Sequence, residues 1–121
     1  MIKLFRENIT DWFADWKFYR PIFVTGILNN NLGYGDGEFN YEMIRKNNKH
    51  FLNDLHRKVY KKSKKKLTRL IVIEKGKGRK HCHMIIDVPE HLSNFKFNHL
   101  IKQSWLKTRG GISIDISPVY N

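Results

Sequence analysis

Two apolar runs, "LTRLIVIE" at 67–74 and "HCHMIIDV" at 81–88, are separated by the six residues "KGKGRK". Such runs joined by a short glycine-containing connection make an antiparallel hairpin. Successive strand side chains point to opposite faces, so the pairing has to bury one side of both runs together. Setting Ile73 against Cys82 places Ile71 beside Met84, with Ile86 and Val88 continuing the same side, and leaves that face wholly apolar. The other face then carries Glu74 opposite His81 and one diagonal step from His83. Burial alone sets this register, and one carboxylate and two imidazoles are gathered as its by-product.

The remaining chain supplies partners for the hairpin. "LFRENITDWFADWKF" reads as an opening helix, with Phe5, Ile9, Trp12, Phe13 and Trp16 on one stripe. Pro21 ends it, and Ile22 to Leu28 forms a buried strand. "NNNLGYGDGEF" is a loop punctuated by Gly33, Gly35 and Gly37; it lacks the Gly-Lys-Ser/Thr ending of a phosphate-binding loop. Asn40 caps a helix expected from Tyr41 to about Lys62, whose core stripe is Ile44, Phe51, Leu52, Leu55 and Val59. A second helix starts at Ser93 or Asn94, runs towards Lys107, and buries Phe97, Leu100, Ile101 and Trp105. In "ISIDISPVY", Ile112, Ile114 and Ile116 alternate with Ser113, Asp115 and Ser117, the period of a half-exposed strand.

After the first helix the order is β-α-β-β-α-β. It predicts an α+β fold: a ferredoxin-like split β-α-β-β-α-β antiparallel sheet with both helices on one face, plus an extra N-terminal helix. The opposite face is expected to stay open for function. At 121 residues the chain is read as a single domain, 1–121.

Charge narrows the partner. The formal net charge is +12, and the segment from Arg57 to Lys80 holds more than half of the 23 lysines and arginines, opposed only by Glu74. A cluster that dense favours a polyanion, foremost nucleic acid through its phosphates. The candidate contacts are Lys64, Lys65 and Lys66 before the hairpin, and Lys75, Lys77, Arg79 and Lys80 in its turn. The cluster has little apolar face with which to enter a membrane surface, and no run approaches the length of a membrane span. Cys82 is the single cysteine, so no intrachain disulfide forms; with no signal-like leader at the start, the reading is cytoplasmic.

Two imidazoles and a carboxylate suit a divalent cation with open positions for water or a phosphate oxygen. A closed structural zinc site wants four ligands, and Cys82 faces the other way. The bland alternative makes His-x-His fortuitous and Glu74 an ion-pair partner of the turn lysines; the register and the adjoining basic cluster argue for the cation. His50, His56, His91 and His99 have no ligand-like spacing and read as surface residues. Asp87 lies roughly 13 Å beyond His83 at strand rise, too far to share a cation. Asp115 is a candidate second-layer group. No Ser-His-Asp or Cys-His nucleophile arrangement is present.

These residues resemble a known family. "HCHMIID", a His-hydrophobe-His strand following an apolar strand that ends in Glu, is similar to the metal motif of HUH endonucleases. More narrowly it resembles the rolling-circle replication initiators of small phages, plasmids and single-stranded DNA viruses. "FVTGIL" resembles their first motif, an apolar strand with a threonine, and the resemblance covers Ile22 to Tyr120. It implies that Glu74, His81 and His83 hold a Mg²⁺ or Mn²⁺ ion against the scissile phosphate of single-stranded DNA or a DNA hairpin. It further implies attack by a tyrosine, giving a 5′-phosphotyrosine and a free 3′-hydroxyl, in the host cytoplasm of a phage or plasmid element.

The family's nucleophile sits after the metal motif, on a helix reading Tyr-x-x-Lys or Tyr-x-x-x-Lys, and no such motif follows His83. Tyr120 is the only later tyrosine; Tyr60 has Lys64 four residues on but precedes the metal strands. Three expectations stand side by side: the chain stops before the tyrosine helix, Tyr120 is itself the nucleophile, or cleavage has been lost and binding remains. The different-class alternative is a non-catalytic ferredoxin-like module binding single-stranded nucleic acid. That reading needs exposed sheet aromatics for base stacking, and the strands offer only Phe23. Tyr34, Phe39 and Tyr41, in and beside the glycine loop, are further stacking candidates.

Overall fold

The computed structural model describes residues 18–29, 41–63, 65–74 and 81–118. The expected opening helix lies outside these residues, as do the glycine loop, the hairpin turn and the last three positions. The described elements run β1 (Pro21–Leu28), α1 (Tyr41–Tyr60), β2 (Arg69–Glu74), β3 (His81–Asp87), α2 (Asn94–Lys107) and β4 (Gly111–Pro118). This is the element order expected after the first helix. The strands form a four-stranded open sheet in the order β2-β3-β1-β4, and every neighbouring pair is antiparallel.

One face of the sheet builds the main core. Ile22, Val24 and Leu28 of β1 and Cys82, Met84 and Ile86 of β3 join Phe51, Leu55 and Val59 of α1 and Phe97, Ile101 and Trp105 of α2 in one buried cluster. Each helix contributes an i, i+4 stripe, as the periodicity predicts. Ile114 and Ile116 of β4 pack against the same cluster, while Ile112 stays exposed at the start of the strand. The half-exposed alternation of β4 is therefore anchored from its middle onward.

Local chemistry sets the helix ends. Ser93 caps α2 with its hydroxyl accepting from the Lys96 N–H at 3.1 Å. At the other end the Thr108 hydroxyl donates to the Trp105 carbonyl at 2.6 Å. α1 stops at Tyr60, two residues short of the expected end, because Lys61 takes φ 52°, the left-handed conformation that closes a helix.

Polar side chains on α1 lock the layers together. Asp54, only 3% exposed, accepts from Ser104 at 2.9 Å and ion-pairs with Lys58 at 2.9 Å and Lys107 at 3.1 Å, tying α1 to α2. Burial pushes its carboxyl up, but the hydrogen bonds of Lys58, Ser104 and Lys107 outweigh burial and hold it well below the usual carboxylate range. Asn47 donates to Thr108 and accepts from the Gly110 N–H at 2.8 Å, which fixes the turn from α2 into β4.

The closest approach of helix to sheet is at Gly26. Its position in β1 faces the helices, and the Trp105 indole lies directly over it while donating to the Ile27 carbonyl at 3.3 Å. Phe51 meets the same indole edge-on, with ring centroids 5.4 Å apart. A Cβ at position 26 would stand 2.6 Å from the indole ring, so any side chain there displaces Trp105. Gly26→Ala is expected to destabilise the fold by about 1–3 kcal/mol, the usual cost of overpacking a filled core. Urea unfolding of the two proteins checks this, and equal midpoints would show that Trp105 is not held as described.

Candidate metal centre on the β2–β3 hairpin

The register inferred from burial is the one observed: Ile71 pairs with Met84, Ile73 with Cys82, Val72 with His83 and Glu74 with His81. Cys82 is fully buried on the helix side, where the Asn48 amide donates to its sulfur at 3.1 Å, and burial pushes its thiol up to about 12. It is therefore neither a ligand nor a nucleophile at neutral pH.

His81 and His83 occupy the opposite face. Their rings lie nearly parallel, 7° apart, with centroids separated by 6.3 Å. Parallel rings do not aim their lone pairs at one point, so sharing a cation requires the two imidazoles to tilt towards each other. The backbone of Glu74 lies directly across from His81; its side chain lies outside the described set. Among the described residues no group of three His, Cys, Asp or Glu side chains is placed to hold a metal ion.

The structure corrects one expectation about this face: its centre is not open. Phe23 and Ile85 pair across β1 and β3, and with Phe18 and Leu70 packed against them they form a second apolar cluster. Beside that cluster Thr25 is 7% exposed and His83 only 2%. The cause is the composition of β1 and β3, which carry large apolar side chains on both faces and so are buried on both. His81 is half-buried.

A buried imidazole needs a polar partner. Thr25 pairs with His83 in the sheet register, and its hydroxyl lies 3.3 Å from His83 Nδ1. If the ring N–H donates there, the lone pair is on Nε2, the tautomer a metal ligand needs. Phe23 flanks the same ring with centroids 5.8 Å apart. Across Thr25 on the other side stands Asp115, exposed on β4, so His83, Thr25 and Asp115 form one row across the face.

The other candidates separate cleanly. Asp87, the last residue of β3, secures the entry into β1, its carboxylate accepting the backbone N–H groups of Tyr19 at 3.0 Å and Arg20 at 2.6 Å. Lys65 and Lys66 are exposed, and Lys65 sits 5.7 Å over the Tyr60 ring. Lys64, Lys75, Lys77, Arg79, Lys80 and Tyr120 lie outside the described residues. Tyr60 packs against the main core, across the sheet from the imidazoles. Burial, and then Asp87, raises its pKa, the wrong direction for a nucleophile. His56 is not a plain surface residue: its Nε2 accepts from the Leu67 N–H at 3.2 Å, and burial, then Arg69 and Lys66, lowers its pKa.

Sequence reasoning missed the role of Thr25 and the polar residues on the buried side of α1. The signal for the latter was there, because Asn48 falls on the Ile44–Leu52 stripe. No family model, curated protein or solved structure matches the chain.

If the paired imidazoles hold a cation, Mn²⁺ at 100-fold over its Kd stabilises the fold by about 2.7 kcal/mol, a rise of several degrees in Tm. Replacing both His81 and His83 by alanine should abolish the rise. Thr25→Val should weaken Mn²⁺ roughly 10–100-fold by releasing the ring it orients. A Tm that ignores Mn²⁺ in the unaltered chain would contradict the site.

Proposed function

We propose that this chain nicks and rejoins single-stranded DNA in the manner of HUH rolling-circle replication initiators, with Glu74, His81 and His83 holding a Mg²⁺ or Mn²⁺ ion. The observation that carries the reading is the β2–β3 register, which sets Glu74 against His81 while the two imidazoles share a face. A ferredoxin-like assignment of the architecture goes with it, supported by the β-α-β-β-α-β order and the strand order β2-β3-β1-β4.

The donor set fits such an ion: two imidazoles and a carboxylate leave positions for water and a phosphate oxygen. When bound, the ion supplies Lewis-acid polarisation of the scissile phosphate. The protein's own groups do the rest. Thr25 holds the His83 ring, and Lys65 and the basic turn residues bind flanking phosphates. A tyrosine hydroxyl loses its proton and attacks phosphorus, and the bond from phosphorus to the 3′ oxygen breaks. The products are a 5′-phosphotyrosine and a free 3′-hydroxyl, and reversal of the same exchange rejoins the strand. Tyr60 lies on the helix side of the sheet, and Tyr120 is the one tyrosine that follows the metal motif, so it is the candidate within this chain. A base-stacking binder is the less favoured reading, because Phe23, the sole aromatic in the strands, is buried.

Incubation with single-stranded origin-like DNA and Mn²⁺, then denaturing electrophoresis, tests the activity. A covalent protein–DNA band is expected that disappears in the His81→Ala, His83→Ala double variant, and its loss in Tyr120→Phe would identify the nucleophile. DNA retention without any covalent band, across sequences, would leave a binder in place of a nuclease.

A further inference from the structure

A second site lies on the other side of the sheet. Between α1 and the edge strand β2 there is a groove of about 490 Å³, within the range of small-ligand pockets. Its apolar floor is Leu52, Ile71 and Ile73, and four cations line it: Arg45 and Lys49 from α1, Lys66 from the connection, and Arg69 from β2. Among the described residues no acidic side chain lines it. His56 stands on the same wall, and burial, followed by Arg69 and Lys66, lowers its pKa.

The groove also has an unmet hydrogen-bonding need. Asn48 lines it and is 4% exposed. Its Nδ2 donates to Cys82, while its Oδ1 is buried with no hydrogen-bond partner among the described residues. A buried carbonyl oxygen left unpaired costs about 1–3 kcal/mol, which a ligand N–H would recover. His56 offers the converse: with Nε2 accepting from Leu67, the neutral ring carries its proton on Nδ1.

A ligand matching these features has a flat face for the apolar floor, an N–H group for Asn48 and an anion for the lysines and arginines. We infer that the α1–β2 groove binds a nucleotide, its base lying on Leu52, Ile71 and Ile73 with an amino group on Asn48 Oδ1, and its phosphate on Lys49, Lys66 and Arg69. The ligand is a free nucleotide or one unit of a single strand; the chemistry is shared. The site lies on the helix side of the sheet and does not depend on the imidazole pair.

Titration of the full chain with adenosine 5′-monophosphate, inorganic phosphate and an oligodeoxyadenylate, read through the amide NMR signals of Asn48, Ile71 and Ile73, tests the site. The monophosphate is expected to saturate these signals roughly tenfold more tightly than phosphate, the contribution of one packed base. Asn48→Ala should erase that advantage. Because Asn48 is buried, the exposed pair Lys49→Glu and Lys66→Glu provides a second reading: it should weaken both ligands, whereas Lys102→Glu on α2 should not. Tighter binding of the oligonucleotide assigns the site to a strand, and equal binding assigns it to free nucleotides. The His81→Ala, His83→Ala variant should bind like the unaltered chain, so failure of the nuclease reading leaves this result intact. Silence of the three amides at millimolar monophosphate, or equal binding of phosphate, would overturn the inference.

Discussion

Burial of β3 on both faces is the constraint from which the rest follows. The strand is paired on each side, by β2 and by β1, and its residues from Cys82 to Ile86 are all buried. Cys82, Met84 and Ile86 meet the helices, while His83 and Ile85 meet the opposite cluster. A slip of one residue would drive the His83 imidazole into the apolar helix-side core and turn its apolar neighbours outward. The register is therefore strongly specified, and with it the pairing of Glu74 with His81 and of Thr25 with His83. The candidate site is a consequence of core packing before it is anything else.

α1 performs two tasks with one helix. Its apolar stripe covers the sheet, and three polar residues embedded beside that stripe make specific ties. Asp54 reaches α2, Asn47 reaches the turn into β4, and Asn48 reaches Cys82. The first two are hydrogen-bonded throughout, as buried polar groups in a stable core should be. Asn48 alone of the three keeps an oxygen without a partner among the described residues. Asn48 is also the one of the three that lines the α1–β2 groove. The edge position of β2 produces the groove, since α2 packs towards β4 and leaves the β2 side to α1.

Much of this was legible because period and burial speak together. The stripe from Ile44 to Val59, the apolar side of the hairpin and a start of α2 at Ser93 or Asn94 follow from spacing and residue type, and the pairing of Ile73 with Cys82 follows from the need to bury both. What escaped the sequence depended on contacts between distant elements. Thr25 reads as one polar residue in an apolar strand until β1 is known to lie against β3. The buried state of His83 was missed because alternation was taken to mean one wet face, whereas Phe23 and Ile85 make a second apolar surface. His56 looked solvated because its partner, the Leu67 backbone, comes from the chain beyond α1.

The central claim is that the hairpin's outer face grips a divalent cation, and paramagnetic broadening tests it most directly. Mn²⁺ added in small steps to the full chain broadens the ring-proton NMR lines of whichever of the six histidines lie beside it. The account predicts that His81 and His83 broaden together and first, while His50, His56, His91 and His99 stay sharp. Sharp lines for His81 and His83 at Mn²⁺ levels that broaden any other histidine would contradict it.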